Sequence, residues 1–154
     1  MRATVKLSEL VGAMEVQSEE IFSYLNKATG EVVTITREEL WAAEEDRPLA
    51  DFPEWQQQEI QLAREILGSE GYIPLPSKYE IHEYAIMERF CLSLPDEYLR
   101  EKMYRSIKGR GAFRRFKENI YRYDIADEWY RYKEEALRQI AIAWCEENDI
   151  PYTD

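Results

Sequence analysis

Prolines and glycines constrain this chain more than any other feature. Pro48, Pro53, Pro74, Pro76 and Pro95 stand where no long helix can run through them, and Gly68, Gly71, Gly109 and Gly111 add further breaks. A proline lacks a backbone N–H and clashes with the preceding helical turn, so the chain between these points must form short, separate elements. Ile73-Pro74-Leu75-Pro76 is predicted to be an extended strap, because each proline pushes its predecessor out of the α region.

Within those limits the apolar spacing assigns the elements. Leu7, Leu10, Val11 and Met14 recur at helical intervals, with Ser8 as the expected cap of a short first helix. Ile21 to Asn26 and Glu31 to Thr36 are rich in strand-forming residues and flank Lys27-Ala28-Thr29-Gly30, which reads as a β-hairpin. Thr36 and Glu39 fit a capping box that opens a short acidic helix to about Asp46. Pro53 begins a longer helix with Trp55, Leu62, Ala63 and Ile66 on one face. Ser77 and Glu80 form a second capping box, opening a helix whose stripe is Tyr79, Ile86, Met87, Phe90 and Leu94 and which Pro95 ends.

The last third reads as three helices: Pro95 to about Lys108, Ala112 to about Tyr123, and Asp127 to about Asn148. In the last of these, Trp129, Tyr132, Ala136, Ile140, Ala143 and Trp144 are expected to share the buried face. The fold class that follows is α+β: an N-terminal helix and β-hairpin, then a predominantly helical body ending in a three-helix unit. A single domain over 1–154 is expected, with an N-terminal helix-hairpin subdomain at 1–47 and a helical body at 53–150.

Charge is distributed unevenly. The chain carries a net charge of −11, but Tyr98 to Tyr123 holds 9 basic and 2 acidic side chains, a local net of +7. The acidic total argues against general attraction to nucleic acid or to anionic membranes. No apolar run approaches the roughly 20 residues of a spanning helix, and Met1 to Val11 lacks the pattern of a signal peptide, so a cytoplasmic location is expected. Cys91 and Cys145 are the only cysteines, too few for a disulfide framework and unspaced for metal, and are expected to be core thiols.

Few residues offer chemistry. His82 is the only histidine, which removes most metal sites and His-assisted nucleophiles, and no phosphate-loop, dinucleotide or HExxH motif is present. No cofactor and no metal are expected. Glu83 projects between Tyr79, Met87 and Phe90 on an apolar stripe, where a carboxylate must be paired, with an arginine as the expected partner, or act as a buried acid.

The densest signal is Lys108-Gly109-Arg110-Gly111-Ala112-Phe113-Arg114-Arg115-Phe116-Lys117. Gly109 and Gly111 let the backbone turn tightly and present N–H groups at a helix start, while Arg110, Arg114, Arg115 and Lys117 supply cations around it. This is an anion-binding candidate. It is equally the pattern of a structural corner, with glycines as caps, Phe113, Phe116, Ile120 and Tyr123 as a core face, and arginines paired internally with the acidic remainder of the chain.

The run from Gly109 to Lys117, with Glu128-Trp129-Tyr130 and Ala143-Trp144 after it, resembles the signature of the bacterial uncharacterised protein family UPF0158. Thr29-Gly30-Glu31-Val32-Val33 and Ile73-Pro74-Leu75-Pro76 are similar to its N-terminal half, so the resemblance covers nearly the whole chain. It implies a common fold unit and no assigned activity, cofactor or catalytic residue. The chain departs from the pattern at Asn148-Asp149-Ile150, where members of the family often have Asn-Gly-Ile, which changes the last helix cap.

Three readings of function stand at this level. The leading one is a non-enzymatic interaction or regulatory module that holds an acidic protein segment or a phosphate-bearing ligand at the basic corner. The second is nucleic-acid binding through the same arginines, with Arg115 and Arg122 facing away from the aromatic stripe; the flanking acidic charge disfavours it. The third is a metal-independent hydrolase or transferase acting on a phosphate compound, with Glu83 as acid or base beside Arg110 or Arg114. No membrane partner is expected.

Overall fold

The computed structural model describes residues 3–154. In chain order the elements are β1 (Val5–Lys6), α1 (Leu7–Val16), β2 (Ile21–Asn26), β3 (Val32–Thr36), α2 (Arg37–Glu44), α3 (Glu54–Leu67), β4 (Tyr72–Pro74), α4 (Lys78–Ile81), α5 (Glu83–Ser93), α6 (Glu97–Ser106), α7 (Ala112–Arg122), α8 (Ala126–Glu147) and β5 (Tyr152–Thr153). The fold is α+β, helices dominating. Two compact units divide it, one of residues up to Ile81 together with Ile140–Asp154, the other His82–Gln139. The sequence division near residue 50 falls inside the first unit. Among the described residues no helix is long and apolar enough to cross a membrane.

The first unit is built on the hairpin. β2 and β3 pair antiparallel from Ile21 opposite Thr36 to Leu25 opposite Val32. The connection is held by Asn26, whose Oδ1 accepts the Ala28 N–H at 2.9 Å and whose carbonyl accepts the Gly30 N–H at 2.8 Å. Gly30 itself sits at φ +76°, a conformation that costs glycine little. On β3, Ile35 is buried and packs with Ala63 and Ile66 of α3, with Tyr24, Val33 and Leu40 around them.

Both capping boxes form. The Thr36 hydroxyl accepts the Glu39 N–H while the Glu39 carboxylate accepts the Thr36 N–H at 3.1 Å. Ser77 and Glu80 do the same at 3.1 and 3.0 Å. Ser8 does not cap α1: the helix begins two residues earlier than a Ser8 cap allows, with Lys6 at the cap and no side-chain bond there. The apolar face of α1 is as the spacing requires, with Leu7, Leu10, Val11 and Met14 buried.

The proline strap is more than extended chain. β4 lies antiparallel to β2, with Tyr24 opposite Pro74, making a three-stranded sheet in the order β3-β2-β4. A proline is tolerated because β4 is an edge strand and needs donors on one side only. A second pairing, β1 with β5 in parallel, joins Val5 to Tyr152. On α3, Ala63 and Ile66 are buried as predicted, but Trp55 is exposed and Leu62 only half-buried, and Gln56 and Ile60 complete the buried face instead.

The predicted helix from Ser77 to Leu94 is two helices. His82, at φ 53° and ψ 64°, is left-handed and separates α4 from α5. A left-handed residue redirects the chain, so projecting one helical stripe across it fails. Tyr79 is accordingly exposed, whereas Ile86, Met87, Phe90 and Leu94 are buried as predicted.

The second unit holds α5, α6, α7 and the part of α8 up to Gln139. Asp96 caps α6 by accepting the Leu99 N–H at 2.9 Å. Phe90, Phe116 and Trp129 meet edge to face, with centroids 4.7 to 6.1 Å apart, and Tyr132 lies 5.4 Å from Phe90. Phe116 and Ile120 are buried as expected, but Phe113 is 53% exposed. On α8 the buried residues are Trp129, Leu137, Ala141, Trp144 and Cys145, while Ala143 faces outward.

Asp149, where the chain departs from the resembled pattern, takes φ 55° after α8, and the Ile150 N–H closes onto the Cys145 carbonyl at 2.8 Å. Aspartate thus fills a left-handed cap that glycine fills with less strain. Cys91 and Cys145 are free and buried, and burial pushes each thiol up to about 11. Both are therefore protonated near neutral pH, which suits inert core thiols.

Candidate functional site

The basic corner lies wholly within the second unit. α6 ends at Ser106, the chain turns through Gly109 at φ +79° and Gly111 at φ +76°, and α7 starts at Ala112. Nothing lies within 4 Å of a Cβ placed on Gly109, so its glycine answers to conformation alone. At Gly111 a Cβ would stand 3.0 Å from Arg115 Nη1, so that glycine also leaves room for the guanidinium.

Arg115 is the hub of the turn. Its Nε donates to the Ser106 carbonyl at 2.7 Å, Nη2 to the Lys108 carbonyl at 2.7 Å, and Nη1 to the Arg110 carbonyl. The last carbonyls of a helix have no partner within it, and one planar guanidinium supplies donors to three oxygens of this corner at once. Tyr84 adds another, its hydroxyl donating to the Ile107 carbonyl at 2.9 Å. The internal partners of Arg115 are carbonyls and not the carboxylates expected from the sequence.

The other cations behave differently. Lys108 reaches Glu88 at 3.6 Å and lies over the Tyr104 ring at 3.9 Å. Arg110, Arg114 and Lys117 are exposed, and none makes an ion pair among the described residues. The first turn of α7 has neither a capping side chain nor an acidic residue, so its positive end is not offset locally. Phe113 lies beside them, its ring edge-on to Tyr84 at 6.4 Å.

Glu83 is not a buried acid. It is exposed at the start of α5 and pairs with Lys133 at 3.1 Å, a lysine where an arginine was expected. The break at His82 explains this, since the apolar stripe that appeared to enclose Glu83 does not continue through it. The burial on which an acid–base role depended is absent. Among the described residues no group of three or more His, Cys, Asp or Glu side chains gathers to hold a metal.

The sequence did not reveal the roles of Tyr84 or Arg115 in the turn, because both bond main-chain oxygens, which leave no pattern in the side chains. Arg115→Ala is expected to lower stability by about 1–2 kcal/mol, the upper end of a charged hydrogen bond discounted for partial exposure. Lysine should not restore it, since one ammonium cannot span three carbonyls. Alanine at Arg110, Arg114 or Lys117 should change stability by no more than about 0.5 kcal/mol. Urea denaturation of the four variants distinguishes the two kinds of residue.

The chain is thus an acidic α+β protein whose densest basic segment forms a helix-to-helix corner. It belongs to the uncharacterised protein family UPF0158, whose model matches residues 2–153. A curated UPF0158 protein of Pseudomonas aeruginosa is 30% identical over 66 residues. That match covers 42% of this chain and 43% of the relative's length. No solved structure matches the chain.

Proposed function

We propose that this protein is a non-enzymatic interaction module whose basic corner docks an acidic segment of a partner protein. One observation carries the reading: Arg110, Arg114 and Lys117 are exposed and make no ion pair among the described residues of a chain of net charge −11. An acidic chain offers abundant internal carboxylates, yet these three cations take none of them. Arg115 is already committed to the turn, so it positions the site and does not contact the ligand.

The spacing favours an extended anion over a compact one. Arg114 and Lys117 are three residues apart on one side of α7, and Arg110 lies in the turn just before that helix, so the cations are spread from the turn into α7. Phe113, half exposed among them, adds an apolar contact for a side chain between two acidic residues. The chain's overall acidity does not prevent docking, because at physiological ionic strength charges beyond about 8 Å are largely screened and the local sign governs.

The test uses a fluorescent decaglutamate peptide as probe, read by anisotropy. Combined alanine substitution of Arg110, Arg114 and Lys117 is expected to weaken binding about tenfold, from roughly 0.5 kcal/mol per exposed charge pair, and to flatten the salt dependence. Unchanged affinity in the triple variant contradicts the reading. Tighter binding of a single-stranded oligonucleotide than of the peptide would assign the corner to nucleic acid instead.

A further inference from the structure

The first unit contains a cleft of about 310 Å³, remote in sequence from the basic corner, where the start of β2, the start of α2 and the start of α4 converge. That volume is at the lower end of the range for small-molecule sites. Its apolar wall is formed by the half-buried Phe22 and the ring of Tyr79. Its cations are Arg37 and Lys78, with Glu19 the one carboxylate in the lining, so the lining side chains sum to one positive charge.

The frame of this cleft is fixed by hydrogen bonds. Gln17 bridges two segments, accepting the Ser23 N–H and donating to the Pro76 carbonyl, both at 2.8 Å. The Ser18 and Ser77 oxygens accept backbone N–H groups of Ile21 and Glu80, each at 3.1 Å. Each hydroxyl therefore keeps its own proton to donate.

Glu19 is shared between the Tyr79 hydroxyl and Lys78. It accepts the Tyr79 hydroxyl at 2.7 Å, with Lys78 at 3.9 Å, and these contacts hold its carboxyl below the ordinary range. Arg37 meets Glu20 through Nη1 at 3.5 Å and stacks at 4.2 Å over Trp41, an arrangement that orients the guanidinium and leaves its other nitrogens available.

We propose that this cleft binds a small aromatic or alicyclic acid, its anionic group taken by Arg37, Lys78 and the Ser18 and Ser77 hydroxyls and its ring lying against Phe22 and Tyr79. A guanidinium and an ammonium with two hydroxyl donors suit the oxygens of a carboxylate or phosphate. The inference is independent of the basic corner.

The test titrates the isotope-labelled chain with benzoate, phenyl phosphate and benzylamine, following the backbone amides of Ser18, Arg37, Ser77 and Lys78 by nuclear magnetic resonance. Saturable shifts with an acid, and none with benzylamine, are expected, and whichever acid binds more tightly identifies the preferred anion. Arg37→Gln should lower the affinity about tenfold, the worth of one charge-assisted contact. Lys78→Gln, at an exposed position, should weaken it as well and serves if the Arg37 variant does not fold. The triple variant at the basic corner should bind the acid normally. Failure of both acids to saturate, equal binding of benzylamine, or unchanged affinity in both Arg37→Gln and Lys78→Gln would overturn the proposal.

Discussion

Trp129→Ala is expected to cost about 3–5 kcal/mol, the range for removing a large aromatic side chain from a packed core. Trp129 is 4% exposed, with ring centroids 4.7 Å from Phe116 and 5.3 Å from Phe90. Edge-to-face pairs are favourable beyond the area they bury, and Trp129 takes part in two of them. Its loss leaves Phe116 and Phe90 facing a void that neither can fill without leaving its own rotamer. Trp129→Phe keeps an aromatic ring there and should lose less than half as much. Urea denaturation followed by circular dichroism measures both; a loss under about 1 kcal/mol for alanine would mean that the aromatic cluster does not hold the second unit together.

Gly30→Ala is the second large effect, for a different reason. At φ +76° an L side chain costs about 1–2 kcal/mol in backbone strain. The new Cβ would also stand 2.6 Å from the Thr4 carbonyl oxygen, a main-chain atom that cannot swing aside. Displacing packed atoms typically costs a further 1–3 kcal/mol, so a total loss of about 2–5 kcal/mol is expected. Gly109→Ala separates the two contributions, since Gly109 has φ +79° with nothing within 4 Å of its Cβ position. It should show the strain alone, about 1–2 kcal/mol. Equal losses at both positions would contradict the assigned contact with Thr4.

What could be read from the sequence was the local structure that residues near one another determine. The hairpin around Lys27–Gly30, the Thr36–Glu39 and Ser77–Glu80 capping boxes, and the helices on either side of Gly109 and Gly111 all depend on side chains a few positions apart. The pairing of β4 with β2 and of β1 with β5 joins segments far apart in the chain, and the prolines in the strap concealed a strand behind a breaker. His82 carries no mark of a left-handed residue, so the sequence pattern ran one helix through it and extended to Tyr79 and Glu83 a stripe that begins only at Ile86.

The basic corner was visible as a composition of glycines and cations, but its division of labour was not. Arg115 and Arg114 are neighbours of the same type, one half-buried on three carbonyls and the other exposed. Only the turn geometry distinguishes them. It leaves Arg110, Arg114 and Lys117 as the exposed cations of the corner that make no ion pair among the described residues, and the proposed docking of an acidic segment depends on these three.

The most direct measurement is an amide chemical-shift titration of the full chain with decaglutamate at low ionic strength. Shifts that saturate and concentrate on Gly109 to Lys117, and that disappear when Arg110, Arg114 and Lys117 are alanine while the fold is retained, are the predicted result. Saturable shifts centred elsewhere, or shifts at the corner that persist in the triple variant, would contradict the account.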